Sequence, residues 1–149
     1  MKMRLLLTGL ALTLGAGTAF AQVKPEILVK QRQAAMTLQG KYLGPMVPMA
    51  QGKAPLRADV VAYNASLLDA LSRMPWDGFA ESTKGVKSNA LPAVWNEPAK
   101  FKAAQDNFHN AVNALVAASK GGDEAAMKSA IGGVGKACGG CHENFRQKL

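Results

Sequence analysis

Near its C-terminus the chain carries Cys138-Gly139-Gly140-Cys141-His142, two thiols and an imidazole within one short stretch. No other feature limits the possible folds so strongly. Residues three and four apart share a face only on a helix, so 138, 141 and 142 act together only if this stretch is helical. A disulfide between the two cysteines closes a loop too small to add much stability, and it leaves the histidine unexplained. A thioredoxin-type redox pair wants a preceding strand and a βαβ setting, and no strand pattern precedes it. A structural zinc ion wants four ligands, whereas the whole chain holds two cysteines and two histidines.

The reading that uses all three side chains is covalent haem attachment. Two thiols so placed can each add to one vinyl group on a porphyrin edge, and the adjoining histidine can swing its imidazole to the iron. Cys138 and Cys141 are therefore the expected tethers of one haem c, and His142 its expected axial ligand.

Hydrophobic spacing predicts four helical segments and nothing that reads as a strand. The first should open at Pro25, with Ile27, Leu28, Ala34, Ala35, Leu38, Leu43 and Val47 turned inward, and should kink or end at Pro45 and Pro48. The second covers 58–73 with Val60, Val61, Ala65, Leu68 and Leu71 inside, and Pro75 stops it. Residues 76–97 read as a long irregular crossover, a length that often signals function. The third opens near Pro98 along Phe101, Ala104, Phe108, Val112 and Leu115, and Gly121 and Gly122 end it. Asp123 is the predicted N-cap of the fourth, whose face runs through Met127, Ala130, Val134, Ala137, Cys141 and Phe145. Gly132, Gly133, Gly135, Gly139 and Gly140 weaken that helix, which suggests a gain from close approach of a flat cofactor. The expected fold is all-α, an antiparallel four-helix bundle around a covalently bound haem.

Lys2 and Arg4, the apolar run 5–14 and Ala19-Phe20-Ala21 have the form of a cleaved secretory signal, residues 1–21, leaving one domain over 22–149. No later run is long enough to span a membrane. The net charge of +8 falls to +6 without Lys2 and Arg4, and the lysines are scattered, so no nucleic-acid surface is indicated. No nucleophile with an acid–base partner and no substrate cleft is visible, so the chain does not read as an enzyme.

Landmarks along the mature chain then agree with one family. Lys24-Pro25-Glu26, Arg32-Gln33, Gly52-Lys53-Ala54-Pro55, Pro75-Trp76, Pro92 with Trp95, Phe101, and the run from Cys138 to Arg146 resemble cytochrome c′, the class II c-type cytochromes. These carry the haem motif near the C-terminus, and they are reference examples of the four-helix bundle. The resemblance implies a periplasmic protein with five-coordinate, usually high-spin iron that binds nitric oxide and carbon monoxide. It also implies an electron-carrying role with a redox protein partner, and homodimers through the first two helices. It puts Arg32 and Gln33 near the haem propionates, Met36 at the distal position, and Asn89 where relatives often have an acidic residue near a propionate. Arg146 lies on the face of His142; it either pairs with a propionate or is a cation favoured by a helix C-terminus. Met36 either packs or, as in low-spin class II relatives, supplies a sixth iron ligand for a purely electron-transferring protein. Service as a relay subunit of a larger respiratory enzyme is a third possibility. His109 falls off the centre of its helix's apolar stripe and reads as a flank or surface residue, Trp76 and Trp95 as packing, with Trp76 alternatively a shield for a haem edge, and Met46 and Met49 as core or dimer surface.

Overall fold

Proline and glycine divide the chain where their backbone chemistry requires. The computed structural model describes residues 23–148, so the expected signal segment lies outside the described residues. Helix α1, Pro25–Leu43, opens on a proline whose missing N–H would have had no partner in the first turn anyway. Pro45 then caps a short helix α2, Met46–Ala50. Helix α3, Ala58–Ser72, stops ahead of Pro75, and a short α4, Ala93–Asn96, precedes α5, Pro98–Gly121. Gly122 ends α5 at φ 74°, a left-handed conformation that suits glycine. Asp123 caps α6, Glu124–Phe145, its carboxylate accepting from the Ala125 and Ala126 amides at 2.8 and 3.1 Å. Helices α1, α3, α5 and α6 form an antiparallel four-helix bundle; the described residues contain no strand, only an isolated bridge between Ala90 and Arg146.

The core runs through Met46, Val61, Leu68, Val112, Leu115, Met127, Ile131 and Val134. Met46 and Met49 are buried there, with α2 packed on α6.

On α1 the inward face differs from expectation. Ile27 (42 % exposed), Ala34 and Leu38 (39 % exposed) point outward, and the buried stripe is Val29, Arg32, Ala35 and Gln39. Hydropathy alone turns arginine and glutamine outward, but both find carbonyl partners inside, and the stripe is centred on them. The amide of Gln39 donates to the Leu71 carbonyl at 2.9 Å. That carbonyl's α-helical partner would have been the N–H that Pro75 lacks.

Residues 76–97, expected to be irregular, hold two 3₁₀ turns, Asp77–Phe79 and Glu81–Thr83, as well as α4. The Arg32 guanidinium donates to the Gly78 carbonyl and lies 4.3 Å from the centre of the Phe79 ring. The buried Thr83 hydroxyl donates to the Ala80 carbonyl at 2.7 Å, and the Trp95 indole N–H to Phe79 at 2.9 Å. Glycine is required at position 78, because a Cβ there would lie 2.5 Å from the Arg32 Cβ and 2.8 Å from the Leu28 carbonyl oxygen. Gly78→Ala should therefore cost about 1–3 kcal/mol of stability through overpacking. Chemical denaturation of the haem-loaded protein measures it, and a loss below roughly 0.5 kcal/mol, the size of a neutral surface change, contradicts this packing.

Candidate haem site

Helix α1 packs on α3 and on the 3₁₀ turns of the crossover, whereas α6 packs on α5 and α2. A slot runs between α1 and α6. Its inner part, about 150 Å³, is lined by Leu43, Leu68, Trp76, Phe108, Val134 and Cys138. Its mouth, about 450 Å³, is lined by Arg32, Gln33, Phe79, Asn89, Phe101 and Arg146. Met36, Cys141 and His142 line both parts, and all eight candidate residues border one part or both.

The mouth owes its shape to contacts at the end of α6. The Leu91 amide donates to the Phe145 carbonyl at 2.9 Å, and the Gln147 amide to the Asn89 carbonyl at 2.9 Å. These bonds satisfy the end of α6 and bring Asn89 alongside Arg146.

Three side chains of the motif sit half-buried on one helical face, and both cysteines are free thiols. Burial pushes the Cys138 thiol up to about 11, with the nearby Cys141 adding to the shift, and burial also raises Cys141. Burial lowers His142, and the Arg146 charge lowers it further. The site therefore keeps its thiols protonated and its imidazole neutral, and the neutral imidazole is the form that binds a metal.

Arg32 adds an electrostatic requirement. It is 4 % exposed, its burial disfavours the charge, and among the described residues no carboxylate pairs with it. A buried cation without a counter-ion is costly, so an anionic group at the slot mouth would be stabilised. Apolar inner walls, a cationic mouth, two thiols and a neutral imidazole suit a flat apolar macrocycle with carboxylates on one edge.

Other expectations fare unevenly. A Cβ on Gly132, Gly133, Gly135, Gly139 or Gly140 would meet nothing within 4 Å, so no close approach of protein requires these glycines. His109 is half-buried and bonded to Trp76, not a free surface residue. Trp76 lines the slot, while Trp95 ties down the crossover. Sequence reasoning missed Gln39 and Phe79. A buried-polar role for Gln39 could have been sought from Pro75, which leaves a carbonyl without its amide.

The family model described as Cytochrome C′ matches residues 28–146. The chain belongs to the cytochrome c′ family. Cytochrome c′ of Rubrivivax gelatinosus is 47 % identical over 126 residues, covering 84 % of this chain and 98 % of that protein. Its crystal structure superposes with a TM-score of 0.79 at 46 % identity, covering 83 % of this chain and 98 % of that one. Two solved structures of mutant cytochrome c prime from Alcaligenes xylosoxidans, one a nitric oxide complex and one with carbon monoxide bound, each give a TM-score of 0.78 at 38 % identity. Each covers 85 % of this chain and 98 % of its own. Cytochromes c′ bind haem c covalently, and Cys138 and Cys141 are compatible with that attachment.

The raised thiol can be tested before haem is attached. Raising Cys138 from 9.0 to about 11 leaves roughly 100-fold less thiolate at pH 8, and the greater nucleophilicity of that thiolate restores about tenfold. In the haem-free chain Cys138 should thus react with iodoacetamide about tenfold more slowly than an exposed cysteine, as read by peptide mass mapping. Equal rates contradict the burial.

Proposed function

We propose that the chain is a periplasmic haem c protein whose iron keeps one coordination position open to small gases, nitric oxide and carbon monoxide, and which also transfers electrons. The observation that carries this reading is the slot between α1 and α6, in which His142 and Met36 line both the inner part and the mouth. In this reading residues 1–21 are a signal peptide removed on export, and 22–149 form the functional domain. Cys138 and Cys141 form the thioethers, and His142 holds the iron. Arg32, Gln33 and Arg146 receive the propionates, with Asn89 beside them. When bound, haem supplies an iron that takes diatomic ligands and exchanges one electron.

The chain's own residues set what reaches that iron. Met36, Leu43, Leu68 and Phe108 give an apolar inner wall that disfavours charged or strongly hydrated ligands and admits small uncharged ones. The gas complexes of the Alcaligenes proteins support this reading. We assign no catalytic residues and no enzymatic reaction. Among the described residues no helix is long and apolar enough to cross a membrane.

A homodimer through α1 and α3 is part of the proposal. The exposed large apolar residues Val23, Ile27, Leu38, Tyr63 and Met74 all lie on or beside these two helices, and this supports it. The same placement accounts for outward apolar residues on α1. A redox protein partner is also proposed, with an acidic surface favoured by the chain's positive charge.

A second reading rests on Met36, whose thioether borders the same slot as His142 and could be a sixth ligand of low-spin iron. Electron spin resonance of the ferric protein separates the two. The first reading expects a high-spin signal and carbon monoxide binding on reduction. It also expects Met36→Ala to speed carbon monoxide association about tenfold, the rate equivalent of relieving roughly 1.4 kcal/mol of crowding. A low-spin signal that disappears in Met36→Ala establishes the second.

A further inference from the structure

Trp76 forms part of the inner slot wall, between Phe108 and Phe79, with its ring edge-on to Phe108 at 6.4 Å and stacked near Phe79 at 6.0 Å. Its one polar atom is held outside the slot. The indole Nε1 is 2.6 Å from the Ser72 carbonyl oxygen and 3.0 Å from Nε2 of His109, and that Nε2 is 2.9 Å from the same carbonyl. The three atoms form a triangle with one fixed donor, the indole, one fixed acceptor, the carbonyl, and one corner whose role depends on the proton of His109. Ser72 is the last residue of α3, so its carbonyl is one of the groups a helix end leaves without a backbone partner. His109 sits on α5 next to the wall residue Phe108, and its ring stands at 88° to the indole.

We propose that His109 is a positioning residue for the haem slot. It holds Trp76 in the wall through Nε2. As the Nδ1–H tautomer, His109 accepts the indole N–H at Nε2. As the Nε2–H tautomer it donates to the Ser72 carbonyl, and the indole keeps only that carbonyl. In either form His109 completes the bonding around the one polar atom of a slot-lining ring.

The charged groups around His109 are few. Arg73, from the end of α3, and Asp106, from α5, line the shallow depression it borders together with Asn110 and Asn113. Arg73 is paired with Asp69 at 2.9 Å, and Asp106 with Lys102 at 2.5 Å. The proposal uses the haem reading only in that Trp76 walls the slot.

The test uses the haem-loaded protein and two readouts. Ultraviolet resonance Raman spectra report the indole N–H hydrogen bond, and flash photolysis reports carbon monoxide association with the ferrous protein. In His109→Leu, which cannot hydrogen-bond, the indole band should shift and the association rate should change at least threefold, and His109→Gln, whose amide can stand in for the ring nitrogen, should restore both. In Trp76→Phe, which keeps a ring but removes the N–H, His109→Leu should no longer change the gas rate. An indole band unchanged in His109→Leu overturns the proposal. So does a gas-rate change that persists in the Trp76→Phe background, or an indole shift unaccompanied by a change in gas rate. If the iron takes no carbon monoxide at all, the open-site reading is what fails, and the indole band alone decides for or against His109.

Discussion

Everything at the site depends on how α1 is held. Two polar side chains buried on its inner stripe, Arg32 and Gln39, bind backbone carbonyls of the crossover and of α3. These are long-range bonds made in a low-dielectric interior, where leaving either group unpaired would be costly. They fasten α1 to one side of the bundle and leave a slot between α1 and α6. Had leucines stood at 32 and 39, the apolar face of α1 could have closed onto α6. Arg32 and Gln39 both border that slot, one at its mouth and one in its inner part.

The same arginine links architecture to chemistry. Its single carbonyl bond and its stack on Phe79 satisfy the geometry of the guanidinium without neutralising its charge. Arg32 places a buried cation at the slot mouth, while burial favours a neutral His142 and protonated thiols at Cys138 and Cys141. Positive mouth, neutral ligand and apolar interior form a gradient that orients a macrocycle with one carboxylate-bearing edge. Pre-arranged charge of this kind costs stability in the free chain and strengthens binding. The crossover completes the arrangement by tying Asn89 against the tail after α6, so the loop and the haem motif depend on each other's position.

Much of this was legible in the sequence. Pro25, Pro98, Gly122 and Asp123 marked helix ends because each has a backbone reason to be there, and the cysteine–histidine spacing pointed to the site on α6. What escaped was the rotation of α1 about its own axis. Ile27 and Leu38 are apolar yet face outward, while Arg32 and Gln39 are polar yet face in, because the partners that justify their burial lie more than thirty residues away. Hydropathy periodicity cannot register a carbonyl denied its α-helical amide by a distant proline. The order within residues 76–97 was hidden because its turns are held by single side chains, distant Arg32 and nearby Thr83 and Trp95, and not by any hydropathy period. No close approach of protein requires the glycines of α6.

The central claim is that two thiols of α6 carry a porphyrin covalently and that the neighbouring imidazole takes its metal. Intact-mass spectrometry of the protein purified from its exporting host, before and after acidic acetone extraction, tests it most directly. A polypeptide beginning after residue 21, heavier by one haem and still coloured after extraction, is the predicted result. A mass equal to the bare chain, or colour that leaves with the solvent, would contradict the account.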